Sequence, residues 1–200
     1  MGMNIGIVSL LKVIADILTL SRGGIAIILL MAHDFEDPAS IVRFVVLLTL
    51  IGWTTDVCDG KLARASGRTG GSIASMDFPL DILFMWSGGY VFARAGLIPH
   101  ALYVAYSTAM AVAAILSRFN RAVLLGFCAP LAGLPLVMSY AYARPYFVTF
   151  TFWIIMALAA DWRRFTQVVD SFIEALPDPG RRRILETLGR FGFRRTEIYR

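Results

Sequence analysis

The sequence predicts an all-α membrane protein with six transmembrane helices. Of its 200 residues, 58% are hydrophobic and 16% are charged, and the mean hydropathy is +0.67. A soluble domain usually contains about 45–50% apolar and about 25% charged residues. The additional apolar residues lie in long runs, and a helix needs about 20 mostly apolar residues to cross a bilayer. These runs leave no room for a separate soluble domain.

Six segments are long and apolar enough, and together they predict one domain over residues 14–160. They are residues 14–31, 40–62, 77–94, 100–116, 121–142 and 145–160. Residues 1–13 are apolar on one side with Lys12 at the end, which is typical of an amphipathic helix that lies along the interface. Residues 161–200 are charged and amphipathic, with three consecutive arginines. They predict a cytoplasmic tail that is attracted to the membrane surface.

The charged residues between the helices predict the orientation. One side carries basic residues of the second loop, of the turn after the fourth helix and of the tail, namely Lys61, Arg64, Arg68, Arg118, Arg121 and Arg163. The other side carries the acidic stretch 33–37 and short turns. The positive-inside rule makes the basic side cytoplasmic. We therefore expect a multi-pass protein of the bacterial inner membrane, with both termini in the cytoplasm.

Two further features exclude other classes of site. The basic residues are dispersed without aromatic interleaving, which argues against binding of nucleic acid. Cys58 and Cys128 lie inside apolar segments, without the spacing of metal ligands or of a disulfide framework. Both cysteines therefore predict packing roles.

Four aspartates stand at the ends of two apolar segments, and they are Asp56, Asp59, Asp77 and Asp81. Spacings of three and four residues place each pair on one face of its helix. Because a carboxylate at the bilayer centre costs about 2.5–3.5 kcal/mol, the four predict a compensating partner. Oxygen-only ligands favour hard cations such as Mg²⁺ or Mn²⁺, and two such ions about 3.5–4 Å apart can clamp a phosphoryl group. The short connection predicts that the two helices pack side by side.

The residues around the aspartates form a longer motif. It begins at Asp56, ends at Asp81 and contains the run DVCDGKLAR. The motif resembles the signature of the CDP-alcohol phosphatidyltransferases, D-x2-D-G-x2-A-R-x8-G-x3-D-x3-D, and differs from it where Ile73 replaces the second glycine. Residues 15–22 and 96–99 are also similar to segments of that family. Six helices with a cytoplasmic site is the architecture that the resemblance implies.

The resemblance implies transfer of a phosphatidyl or other phosphoalcohol group from a CDP-alcohol, with CDP-diacylglycerol as the favoured donor, to a small alcohol, with release of CMP. It implies two Mg²⁺ or Mn²⁺ ions on Asp56, Asp59 and Asp77, with Asp81 completing the site and acting as base on the acceptor hydroxyl. Glycerol 3-phosphate is slightly favoured as acceptor over inositol phosphate, inositol and serine. The resemblance further implies a homodimer in the lipid bilayer, with residues 14–160 as its catalytic domain.

The same resemblance assigns five residues to the CDP moiety, and they are Gly60, Ala63, Arg64, Asp16 and Thr19. Gly60 and Ala63 would line the cytidine pocket, and Arg64 would contact the diphosphate. Two of the five also have a structural alternative. Asp16 can form an ion pair with Arg22, and the Thr19 hydroxyl can serve helix packing.

Two arginines flank the predicted turn between the fourth and fifth helices. Arginine matches phosphate bidentately, so Arg118 and Arg121 predict a site for the phosphate of the acceptor. The alternative is that the two arginines only keep this turn on the cytoplasmic side, as the positive-inside rule describes.

Two departures from the motif keep other functions open. A branched side chain at Ile73 can crowd the nucleotide, and Ile82 stands where many phosphatidylglycerolphosphate synthase relatives carry lysine. One alternative is therefore a catalytically impaired membrane protein that binds CDP-lipid or divalent metal. A small cation transporter is disfavoured, because the carboxylates crowd one end of the helices and do not line a path.

Overall fold

The computed structural model describes residues 5–33, 35, 37–66, 72–160, 162 and 166. These residues form six helices and no strand: α1 Ile5–Met31, α2 Pro38–Ser66, α3 Ser72–Arg94, α4 His100–Leu116, α5 Arg121–Tyr142 and α6 Arg144–Ala160. The all-helical class is therefore confirmed for this part of the chain. The predicted tail 161–200 lies outside the described residues except at positions 162 and 166, and so do Arg68 and the side chain of Ile73.

Three helices extend beyond the apolar segments that the sequence marks. α1 is continuous from Ile5, so no break separates the predicted interfacial segment from the first span. α2 continues past residue 62 to Ser66, and α3 already begins at Ser72. Polar residues at these ends lower the local hydropathy but continue the backbone hydrogen bonds of the helix. The four aspartates consequently lie inside helices and not at their ends.

The start of α2 is set by a local capping pattern. Pro38 occupies the first position, where its fixed φ suits a helix and its missing N–H costs nothing. Asp37 accepts hydrogen bonds from the Ser40 backbone N–H at 2.8 Å and from the Ser40 hydroxyl at 2.7 Å, which is the role of an N-cap residue. Because these bonds stabilise the carboxylate, they hold the pKa of Asp37 below its usual value.

Three of the helices are long and apolar enough to cross a membrane: Val8–Met31, Pro38–Ser66 and Arg121–Tyr142. The helices α4 and α6 are apolar but have 17 residues each. Large apolar side chains on the outside of α1, such as Ile17 and Ile27, are exposed, which suits contact with lipid. These features support a membrane protein, and six spans remain a prediction.

The core forms where α1 packs along both α2 and α3. Most of its buried residues come from these three helices, among them Ala26 and Leu29 of α1, Val42, Val45 and Val46 of α2, and Phe84 and Phe92 of α3, and Met138 of α5 and Phe150 of α6 complete it. α2 and α3 contact each other over a shorter stretch than either contacts α1. The two aspartate-bearing helices do contact each other, as their short connection predicted, and the sequence did not predict that α1 packs along both of them.

One glycine permits the direct contact that α2 and α3 do make. A Cβ atom at Gly52 would lie 2.6 Å from the Phe84 ring. The Phe84 side chain is buried in the core. Small residues commonly permit such close approach between membrane helices, so Gly52 sets the distance between α2 and α3 about one turn before the first aspartate.

Candidate functional site

A buried arginine on α1 lies at the centre of the site. Arg22 belongs to the apolar span Val8–Met31 and is 0% exposed. An arginine inside a membrane helix is costly unless acceptors surround it. Because α1 packs against both α2 and α3, the guanidinium reaches carboxylates from each of them. Its two terminal nitrogens each carry two N–H donors.

Each terminal nitrogen of Arg22 contacts one aspartate from α2 and one from α3. Nη1 donates to Asp56 Oδ1 at 2.9 Å and also to Asp81 Oδ1. Nη2 donates to Asp59 Oδ2 at 2.7 Å and also to Asp77 Oδ1. The four carboxylates of the motif therefore surround one guanidinium, and the arginine bridges the two helices twice.

The cluster offers the donor set of a hard divalent cation. One carboxylate oxygen from each of Asp56, Asp59 and Asp77 lies within 4.8 Å of the others. Since Mg²⁺ and Mn²⁺ prefer carboxylate oxygens, these three residues fit the predicted metal. Asp81 lies outside this group but shares Nη1 of Arg22 with Asp56. One guanidinium cannot neutralise four carboxylates, so the cluster keeps an excess of negative charge that attracts a further cation.

The hydroxyl of Thr19 supports one of these carboxylates. Thr19 Oγ1 donates to Asp59 Oδ2 at 3.1 Å, and both residues are buried. Oδ2 of Asp59 thus accepts from Thr19 and from Arg22 at once. This contact orients Asp59, and the predicted role of Thr19 near the nucleotide stays a prediction.

Asp16 lies on the same helix but belongs to a different ion pair. It accepts a hydrogen bond from the Lys12 ammonium at 2.7 Å, one turn away. The alternative that Asp16 pairs with Arg22 is therefore wrong, because Arg22 contacts the four motif aspartates. Both side chains are half-buried, and a role of Asp16 at the nucleotide stays a prediction.

The other residues assigned to the CDP moiety continue along α2. Gly60 and Ala63 lie four and seven residues after Asp56, which places them on the same helix face, and both are half-buried. Arg64 is exposed in the last turn, where its charge complements the helix dipole. This face leads from the carboxylates to the end of α2, and its nucleotide contacts stay predictions.

The α4–α5 turn brings one predicted phosphate-binding arginine close to α3. The Arg121 guanidinium carbon lies 5.0 Å from the centroid of the Phe78 ring, and Phe78 directly follows Asp77. Arg118 is exposed and has a left-handed backbone with φ 55°, and Phe119 likewise has φ 60°. Arg121 is therefore at the aspartate-bearing part of α3, and Arg118 lies on the turn beside it.

The sequence interpretation missed the role of Arg22. It considered only Asp16, on the same helix, as a partner of Arg22. The sequence nevertheless indicated that Arg22 needs more acceptors than one. Arg22 is the one cation in the apolar part of α1 after Lys12, and a cation there requires buried acceptors. Four aspartates on the next two helices were the acidic groups available to supply them.

Comparison with family models, with curated proteins and with solved structures finds no match to this chain. The resemblance therefore depends on the motif residues alone.

Proposed function

We propose that this chain is an integral membrane CDP-alcohol phosphatidyltransferase. It would transfer the phosphatidyl group of CDP-diacylglycerol, or another phosphoalcohol group from a CDP-alcohol, to a small alcohol and release CMP. One observation carries the proposal. The four carboxylates of the motif come from two helices and meet around one buried point, where three of them lie within 4.8 Å of one another.

Asp56, Asp59 and Asp77 would hold the metal, two Mg²⁺ or Mn²⁺ ions in the proposed enzyme. The ions would supply charge neutralisation of the diphosphate, which makes CMP a good leaving group. The acceptor hydroxyl forms a new bond to the lipid-side phosphorus, the phosphorus–oxygen bond to CMP breaks, and Asp81 takes the hydroxyl proton.

The chain's own groups would mainly bind and orient the donor. Gly60 and Ala63 present a small surface on the helix face that follows Asp56, which leaves room for the cytidine. Arg64, one residue further along α2, would contact the diphosphate from the end of the helix. Thr19 orients Asp59 through a hydrogen bond of 3.1 Å.

The proposal includes a membrane setting. Residues 14–160 would form six spans in the bacterial inner membrane, with the tail 161–200 and the aspartate cluster on the cytoplasmic side. A lipid-linked donor can then reach the cluster along the bilayer. The proposal also includes a homodimer, which is supported by the family resemblance alone.

Glycerol 3-phosphate is the slightly favoured acceptor, ahead of inositol phosphate, inositol and serine. The position of Arg121 against Phe78, next to Asp77, supports an acceptor phosphate at this end of α3. The carboxylates alone would repel an anion such as a phosphate, whereas a nearby arginine can bind it.

The test is release of CMP by the purified full chain. The protein is incubated with CDP-diacylglycerol, Mn²⁺ and each of the four acceptors, and CMP is measured over time. We expect release with one acceptor, its loss with EDTA, and a fall of about 10²-fold or more in Asp81→Asn, because the base is removed. Asp37→Asn is the matched control, since asparagine also caps helices well and Asp37 lies at the other end of α2. Equal rates in the two variants would exclude Asp81 as the base.

The second candidate is an impaired protein that binds CDP-lipid or metal without turnover. The pairing of Arg22 with all four carboxylates favours it, because these groups are already engaged. Binding of CDP-diacylglycerol without CMP release from any acceptor would support this candidate. A gain of turnover in Ile73→Gly would then locate the impairment at the motif position that departs from glycine.

A further inference from the structure

We propose that Arg22 is the resident cation of the aspartate cluster: it holds the two aspartate pairs together when no divalent cation is bound, and it gives up contacts with them when one binds. The proposal rests on the metal requirement of the proposed function, and it adds that Arg22 controls the metal affinity. Arg22 is then a positioning residue, since it acts through the four aspartates and not on the substrate.

The first argument comes from the shared ligands. All four carboxylates contact the terminal nitrogens of Arg22, which have two N–H donors each. A metal bound by Asp56, Asp59 and Asp77 uses three of the same carboxylates. The guanidinium and the metal therefore depend on one set of negative charges.

The second argument is electrostatic. Two cations that share carboxylates repel each other, and the repulsion is stronger in a site shielded from water than at a surface. Arg22 is fully buried, so water screens it little. Each cation must therefore weaken the binding of the other. Without either cation, the four neighbouring carboxylates repel one another, and this repulsion destabilises the fold.

The third argument comes from the remaining nitrogen of Arg22. Its Nε atom is buried and has no hydrogen-bond partner among the described residues. A buried donor without a partner is costly, and such a group in a native protein calls for an explanation, of which a role in the site or a bound ion is one. Arg22 therefore makes fewer hydrogen bonds in this arrangement than its five donors allow.

The experiment compares metal affinity with stability in the metal-free state. Full-length protein is purified in detergent with EDTA and then freed of chelator. Mn²⁺ binding is followed by the electron paramagnetic resonance signal of the free ion, and thermal unfolding is measured without metal. The variants are Arg22→Met, which keeps the length and apolar stem, and Arg43→Met as matched control, since Arg43 is exposed near the start of α2 and contacts only local groups there in the described structure.

We expect opposite effects in Arg22→Met: a lower melting temperature without metal, and at least about tenfold tighter Mn²⁺ binding, because the competing charge is gone. Arg43→Met should change neither. A purely structural arginine would lose stability and metal affinity together, so unchanged or weaker Mn²⁺ binding in Arg22→Met overturns the inference and leaves the proposed function standing. Absence of Mn²⁺ binding in both the parent chain and the variant overturns both.

A measurement on the parent chain covers the case in which Arg22→Met does not fold. The protein is labelled with ¹⁵N-arginine, and the buried guanidinium signal is assigned by its loss in Arg22→Lys. We expect this signal to shift when diamagnetic Mg²⁺ is added to saturation. A signal that stays in place at saturating Mg²⁺ contradicts the inference.

Discussion

At the scale of single residues, the Asp59 carboxylate is held by two buried donors. Its Oδ2 accepts from Arg22 Nη2 at 2.7 Å and from Thr19 Oγ1 at 3.1 Å. A carboxylate that is shielded from water needs such partners, because its desolvation is otherwise uncompensated. Both donors come from α1, so the orientation of Asp59 depends on the docking of α1 against α2.

This pairing predicts the effect of Thr19→Val. Valine keeps the branched shape but removes the donor, and we expect the free energy of unfolding to fall by about 1.5–3 kcal/mol, the usual loss for a hydrogen bond to a charged group. Thr19→Ser should keep most of the stability. Thr49→Val is the matched control, because the buried Thr49 hydroxyl donates to the Val45 carbonyl of its own helix at 2.8 Å.

Thermal unfolding in detergent measures all three variants. The Thr49 substitution should change the free energy of unfolding by well under 1 kcal/mol, since such bonds within a helix contribute little. Equal losses for Thr19→Val and Thr49→Val would mean that the contact with Asp59 has no particular importance.

At the scale of elements, the turn between α4 and α5 has a left-handed backbone at residues that are not glycine. The Arg118 N–H bonds to the Ile115 carbonyl at 3.0 Å and the Phe119 N–H bonds to the Ala114 carbonyl at 2.7 Å, which is the Schellman pattern at a helix end. Glycine is preferred at the left-handed position of this motif, yet this chain has arginine there with φ 55°. Strained positions of this kind often occur at functional sites.

We therefore expect Arg118→Gly to impair binding of the acceptor without lowering the stability of the fold. Glycine relieves the left-handed strain, so we expect the free energy of unfolding to stay equal or to rise by up to about 1 kcal/mol. Loss of the guanidinium should raise the KM for glycerol 3-phosphate and leave the KM for CDP-diacylglycerol unchanged. Phe119→Gly is the matched control, because it relieves a similar φ of 60° and keeps the charge.

Steady-state kinetics with each substrate varied in turn checks this expectation. A rise in the acceptor KM that occurs only in Arg118→Gly supports a role in binding phosphate. Identical acceptor KM values in both glycine variants would leave Arg118 as a positive-inside anchor.

The helices also show how far sequence patterns reach. Apolar runs predicted the number and order of the helices, because a bilayer-length apolar segment rarely forms anything else. They did not predict the polar ends of α2 and α3, since hydropathy measures compatibility with lipid and not the extent of the backbone hydrogen bonds. Residue spacing predicted that each aspartate pair shares a face. It could not predict that α1 packs along both helices and contacts both pairs, because the packing of helices on one another is a non-local property.

Arg22 illustrates the same limit at the site. The sequence alternative paired it with Asp16 on the same helix, although a separation of six residues places the two side chains on different faces. The structure instead pairs Asp16 with Lys12 and turns Arg22 toward α2 and α3. A local pattern identifies which residues carry charge, and only the arrangement of the three helices shows which charges meet.

At the scale of the whole molecule, the number of membrane spans determines where every loop lies. The helices Val8–Met31, Pro38–Ser66 and Arg121–Tyr142 are long enough to cross. α4 and α6 have 17 residues each, which at about 1.5 Å per residue is somewhat shorter than the usual hydrocarbon thickness of about 30 Å. A short helix can still span when the bilayer thins or flanking residues extend to the interface. α3 has 23 residues but carries Asp77 and Asp81, so it is long enough to cross and less apolar than the three helices named above. Two topologies are therefore compared: six spans, or three spans formed by those three long apolar helices.

The two topologies disagree at one turn. With an N-terminus in the cytoplasm, six spans place the turn after α3 outside and the turn after α4 inside. If only the three long helices cross, the chain returns to the cytoplasm after α2 and stays there until α5, so both turns lie inside. The segment before α2 is outside in both cases. Ala95 lies in the turn after α3 and is exposed, so it reports the difference.

We expect the six-span arrangement, and labelling of single cysteines tests it. In a Cys58→Ser, Cys128→Ala background expressed in bacterial cells, a membrane-impermeant maleimide should label Ala95→Cys in intact cells. His33→Cys should be labelled from outside in either topology, and Phe119→Cys should be labelled only in inverted vesicles. Protection of Ala95→Cys in intact cells, together with its labelling in inverted vesicles, would support three spans. The tail after α6 would then lie on the face opposite to the aspartate cluster, and a cytoplasmic role for its arginines would be excluded.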